Sequence, residues 1–261
     1  MKHIIHTEWL KVKGYRTFWV LLLLAVAIVP AANYITAEVT SQVQQKSKEM
    51  LVLNAYDFPM VWQTVANVNS YISAAFGFLM VILVSNEFTF KTHRQNIIDG
   101  WERREFVFSK LYWVVAFSLL AMVVAILTGL CFGFAYSTHD FSLEGFRYIF
   151  YYTLQTMLSL CLALLAGVFL RRAGLAIVLY LAYAMMIEQL LVSILKRSSL
   201  GEIGGLLPLQ TGDELLPVPT FIGTMMASPD KYDEVVYLGF LCGYIVLALF
   251  LVFRKMEKTD L

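Results

Sequence analysis

Six stretches of this 261-residue chain are long, apolar and almost free of charge: 18–36, 67–85, 111–136, 149–170, 173–195 and 235–253. Each is close to the roughly 20 residues that a helix needs to cross a hydrocarbon layer. A segment in hydrocarbon must satisfy its own backbone donors and acceptors, which a helix does alone and a strand does only in a closed barrel. The alternating pattern of barrel strands is absent. Composition agrees. The chain is 59% hydrophobic and 15% charged, against roughly 45–50% and 25% in soluble domains. The sequence therefore predicts an all-α integral membrane fold of six transmembrane helices in one domain, 1–261.

Orientation follows from where Lys and Arg fall. With the N-terminus inside, fourteen of the twenty lie in inside segments and six in outside ones. Even the two-residue link between the fourth and fifth runs is Arg171-Arg172. Both termini are expected in the cytoplasm. The first run has a basic flank, and Pro30-Ala31-Ala32 faintly resembles a cleavage site. A long patterned segment precedes it and five more runs come after it, so it reads as a retained span.

Residues 1–16 carry Ile4, Ile5, Trp9 and Val12 among Lys2, His6, Glu8, Lys11 and Lys13. The spacing predicts an interfacial amphipathic helix, with Glu8 and Lys11 on the charged face and Trp9 at headgroup level. A simple anchor and an elbow that touches a cytoplasmic partner both fit. Residues 86–110 form a second inside segment, longer than a plain connection usually is; a contact surface and a solvated loop lying on the headgroups both fit. Its pattern predicts a helix from about Glu87 to Asp99, a stop at Gly100, and a second helix leading into the third span. On the outside, 37–66 is polar before an aromatic return. The loop 196–234 alternates Gly and Pro with apolar pieces too short to span, which suits broken or re-entrant outer helices.

Within the spans, Ala121, Ala125, Gly129 and Gly133 make a ridge of small residues for close helix approach. The partner is open: this chain or another. Glu188, beside Gln189, is the only acidic residue well inside a run. The pair is a candidate intramembrane polar site. A place on a substrate or proton path and a packing role near the outer surface both fit.

The rest of the chemistry is negative. Net charge is +1, with no basic run of the kind that binds nucleic acid. Cys131, Cys161 and Cys242 lie apart in apolar runs, and the four histidines lack metal-ligand spacing, so no metal site is expected. There is no G-x-x-x-x-G-K-[ST], H-E-x-x-H or G-x-S-x-G. No catalytic or cofactor-binding residue is assigned, and the chain does not read as an enzyme.

One stretch carries a resemblance. Asn86-Glu87-Phe88, Lys91-Thr92, Arg94 to Gly100, Arg103 or Arg104, Glu105-Phe106 and Lys110-Leu111 are similar to the segment after the second span in permease subunits of type 2 ATP-binding-cassette exporters. The amphipathic start, the six runs and the broken outer loop resemble that family too. The resemblance implies a half-transporter in the bacterial inner membrane, paired with a second permease chain, the same or homologous. A separate ATP-binding subunit would hold ATP and Mg. Glu87, Lys91, Thr92, Arg94, Gln95, Ile97, Ile98, Asp99 and Gly100 would form the coupling helix, with Glu8, Trp9 and Lys11 on the elbow beside it. Small cytoplasmic additions lean the cargo toward a small amphiphile, peptide, lipid or ion. A stand-alone secondary transporter or channel, or a membrane anchor or sensor without transport, is the alternative.

Overall fold

Backbone groups out of reach of water must bond within their own segment, and the apolar runs do so as helices. A computed structural model describes residues 2–46, 55–92, 95, 98, 100–198, 201–217 and 232–258, and among them there are helices and no strands. The N-terminal helix α1 is Lys2–Lys13, followed by α2, Arg16–Lys46. Next come α3, Val61–Ser70, and α4, Ser73–Thr89. Then α5 is Arg103–Tyr136 and α6 is Arg147–Leu170. Helix α7, Ala173–Ala182, passes through a π turn at Tyr183–Ile187 into α8, Glu188–Arg197. Two short helices come next, α9 at Gly201–Gly204 and α10 at Pro208–Glu214, before α11 at Glu234–Glu257.

Helices α2, α5, α6 and α11 and the continuous α7–α8 stretch are each long and apolar enough to cross a membrane, five in all, and the bent pair α3–α4 brings the number to six if it is one span. The second run is thus not one straight helix. Its two halves meet at 44°. The reason lies in polar side chains that compete with the helix ladder. Ser70 Oγ donates to the Asn67 carbonyl (2.8 Å), Asn67 Nδ2 to the Leu216 carbonyl (2.6 Å), and Asn33 Nδ2 to Asn69 Oδ1 (2.8 Å). Helix α5 starts well before its apolar run. The Glu102 N–H donates to Glu105 Oε2 at 3.0 Å, a capping arrangement that satisfies an otherwise orphaned donor.

Helix α6 is the hub. It packs against α3, α4, α5, α7, α10 and α11, and buries Tyr152, Leu158, Leu160, Cys161 and Leu164. Other helices keep an apolar outer face: Leu23, Leu24, Ile28 and Ile35 on α2, and Val178, Met185 and Ile194 along α7–α8, are exposed. Such faces suit lipid or another chain.

The small-residue ridge of α5 is filled from within the chain. A Cβ on Gly129 would lie 2.8 Å from Trp62 Cζ3, and one on Gly133 2.4 Å from Phe58 Cζ. The ridge admits the ring of Phe58, just before α3, and that of Trp62 in its first turn. Nearby, Asp57 Oδ1 accepts from Ser137 Oγ and the Thr138 N–H, both at 2.7 Å, tying that entry to the end of α5. At the opposite end, Glu8 meets Lys110 and Arg104 meets Glu257 (3.3 Å). Both ends of the described chain therefore gather at one end of the bundle.

Candidate functional site

Four charged side chains close into a ring where α1, α4 and α5 meet. Lys110 Nζ donates to Glu8 Oε2 and to Glu87 Oε1, each at 2.6 Å. Lys11 Nζ donates to Glu8 Oε1 at 2.8 Å and to Glu87 Oε1 at 3.0 Å. Trp113 Nε1 adds a bond to Glu8 Oε2 at 3.1 Å. Two acids and two ammonium groups leave no net charge. Lys110 is fully buried, and Glu8 and Glu87 nearly so. A charge at that depth is tolerated only when paired and hydrogen-bonded. Burial alone would push the Glu8 carboxyl up, but Lys110 and Lys11 hold it at about 2. Burial likewise lowers the Lys11 ammonium, yet Glu87 and Glu8 outweigh it and raise it above its ordinary value.

The ring corrects the sequence reading of α1. Glu8 does not sit on an outward charged face. The buried side of α1 is Ile4, Glu8 and Val12, one helical turn apart, while Ile5, Trp9 and Leu10 are exposed. The physical reason is Lys110 inside, which makes a buried carboxylate cheaper there than a buried tryptophan. Trp9 instead meets Trp19 edge-on at 5.9 Å.

The helix expected from Glu87 to Asp99 is also divided. Glu87 belongs to the last turns of α4, which ends at Thr89. A turn comes next, with Lys91 in the left-handed region at φ 56°. Thr92, Gln95 and Ile98 are helical beyond it, and Gly100 stops the segment at φ 94°. Glycine suits that left-handed stop. Gln95 and Ile98 face outward, Ile98 with 77% of its surface exposed. Arg94, Ile97 and Asp99 lie outside the described residues. So the structure joins Glu8, Lys11 and Glu87, and leaves Lys91, Gln95 and Ile98 on the surface below them. It adds Trp113, which sequence reasoning missed, and brings in Lys110, which the sequence offered only within the motif shared with the family. A signal for Lys110 was present: a lone lysine at the head of an apolar run, one helical turn before a tryptophan.

At the other end, Glu188 caps α10. Its Oε1 accepts the Leu209 N–H at 2.6 Å and the Gln210 N–H at 2.9 Å. A carboxylate there satisfies orphan donors and meets the positive end of the helix. The π turn just before Glu188 inserts an extra residue, which swings the side chains of α8 by about 100° around the helix axis. Its neighbour Gln189 lines a cavity of about 390 Å³ shared with Ser70, Ser73, Gln155, Ser159 and Asp213. Gln155 Nε2 donates to Asp213 Oδ1 at 2.6 Å. Gly212 lets α10 approach this closely, since a Cβ there would lie 2.3 Å from Gln155 Cγ.

Comparison with known proteins adds one match. Residues 4–195 fit the model of a family described as ABC-2 family transporter protein. That stretch covers α1 through most of α8, and so includes the whole charged ring. No curated protein matches the chain.

Proposed function

The chain belongs to the ABC-2 transporter family as a transmembrane subunit, and from that premise we propose that it is the permease of an exporter driven by a separate ATP-binding subunit. The observation that carries this reading is the ring of Glu8, Lys11, Glu87 and Lys110. It ties α1, the end of the second span and the start of the third into one joint. The expected coupling helix begins beside that joint, and its described residues Thr92, Gln95 and Ile98 are helical, with Ile98 turned outward. In this reading that helix docks in a groove of the ATPase, and α1 is the elbow beside it. Movement of the ATPase then reaches two spans at once, because buried paired charges yield less readily than an apolar contact that can slide.

The same reading assigns the other parts. The ATPase carries ATP and Mg, and this chain carries no cofactor. Both termini and the docking helix face the cytoplasm of a bacterial cell, with the chain in its inner membrane. A second permease, identical or homologous, covers part of the exposed apolar surface of α2 and α7–α8. The cargo is a small amphiphile, peptide, lipid or ion.

Affinity capture tests the assignment. Tagged protein from detergent-solubilised membranes should bring down an ATP-binding-cassette ATPase co-expressed with it. Replacing Ile97 and Ile98 with Asp should abolish that capture while leaving membrane insertion intact. Capture that survives both substitutions would sink the docking-helix assignment. Absence of any ATPase with the wild type would favour a stand-alone transporter or an anchor.

A further inference from the structure

The bend between α3 and α4 opens a cavity of about 390 Å³ against α6, the π turn and α10. Small-molecule sites span roughly 300–1,000 Å³. Asp213 and Gln155 form its polar wall, joined by the 2.6 Å bond from Gln155 Nε2. That bond requires the amide's NH₂ end, so the carbonyl end, Oε1, is the one left over. Gln155 is only 2% exposed, and its Oε1 has no hydrogen-bond partner. Ser70 has already donated its proton to the Asn67 carbonyl, leaving its oxygen able only to accept. Asp213 and the Ser70 oxygen are thus acceptors at this wall, while Tyr71, Ser73 and Gln189 bring hydroxyl and amide groups to the rest of the lining.

Charge points the same way. No Lys, Arg or His is among the residues that line the cavity, and Asp213 forms no ion pair among the described residues. The nearby Lys196 is engaged by Glu214 at 2.6 Å. Glu188 Oε1 is engaged at the start of α10, and Glu188 is not among the residues that line the cavity. A carboxylate without a cation in such a place is costly. Leu209, Met185, Ala184 and Ala74 supply apolar wall between the polar groups. Tyr71 and Met185 line the cavity and are largely exposed, so it opens on the outside of the bundle.

We propose that this cavity binds a protonated primary amine carried on a short apolar tail, with Asp213 as its counter-charge, held in place by Gln155. The volume and the apolar walls suit an organic cation better than a bare inorganic one. This names a cargo class for the exporter, and it rests on that reading for the link to transport though not for binding.

Calorimetry on the full-length protein in nanodiscs of zwitterionic lipid tests it, with hexylammonium chloride as the probe at neutral pH. Hexanol and hexanoate serve as probes of the same length. Saturable binding of hexylammonium alone is expected. Asp213→Asn and Gln155→Leu should each weaken it by about tenfold or more. Asp213→Asn keeps an oxygen for the Gln155 N–H, so its elution profile and Tm should stay close to wild type. Three results overturn the proposal: equal binding in wild type and both variants, equal binding of hexanol, or displacement by sodium at matched concentration. No ATPase is present in this experiment. A failure here leaves the exporter assignment standing, and failed capture of an ATPase leaves this binding result standing.

Discussion

The two ends of the bundle handle buried charge in opposite ways. Near the termini, Glu8, Glu87, Lys11 and Lys110 neutralise one another within 3.0 Å. Across the bundle, Glu188 and Asp213 meet no cation among the described residues: one caps a helix and the other faces a cavity. The balanced set is complete, so it suits a joint. The unbalanced set has acceptor capacity to spare, so it suits a site. Removing one member should therefore be costly at the joint, modest at the Glu188 cap and nearly free at Asp213.

The largest effect is expected at Lys110. Lys110→Met leaves Glu8 and Glu87 buried with only Lys11 between them, a loss of about 3–5 kcal/mol. Thermal unfolding in detergent reads it directly. A double variant with Glu8→Gln should recover part of the loss, because fewer carboxylates are then stranded. If the two changes simply add, the ring is not one unit. Next is the α5 ridge. Gly129→Leu pushes a side chain into Trp62 and should cost about 1–3 kcal/mol, whereas an exposed neighbour such as Val123→Leu should be neutral. Smaller again is the cap on α10. Glu188→Leu strands the Leu209 and Gln210 N–H groups for about 1–2 kcal/mol, while Glu188→Gln keeps an accepting oxygen and most of the stability. Smallest is Asp213→Asn, for which Tm should scarcely move. A large drop there would erase the contrast between the two ends.

The joint also has a pH signature. The folded Glu8 carboxyl sits at about 2, below its ordinary value of 4.5. A depressed carboxyl stabilises the fold fully above its unfolded value, and that contribution is lost as pH falls through the folded value. The Tm difference between wild type and Glu8→Gln should therefore be flat from pH 8 to about 5 and shrink toward about pH 2. A difference that shrinks above pH 6 would contradict the ring.

Legibility in the sequence tracked how local each feature is. The apolar runs are local, so the crossings and the all-α class could be read from them. The bend in the second run was written in Asn67, Asn69 and Ser70, polar residues inside an apolar stretch, but their partners Leu216 and Asn33 are distant in the chain. The ring was out of reach because Lys110 and Glu8 lie 102 residues apart. Amphipathic reasoning then turned Glu8 outward, since it treats every charge as solvated. Glu188 stood out as an acid in an apolar run, yet its role depends on a helix that begins twenty residues later. Gln155 gave no signal, because an amide in a span is significant only beside the carboxylate it meets.

If the ring passes the state of an ATPase into the spans, breaking it should uncouple the two subunits without separating them. Hydrolysis by the co-purified complex in nanodiscs tests this most directly, with wild type set beside Lys110→Met. Both should retain the ATPase. The wild-type permease should alter its hydrolysis rate relative to the free ATPase, and Lys110→Met should return the rate to that of the free subunit. Unchanged regulation in a folded Lys110→Met complex would contradict the joint.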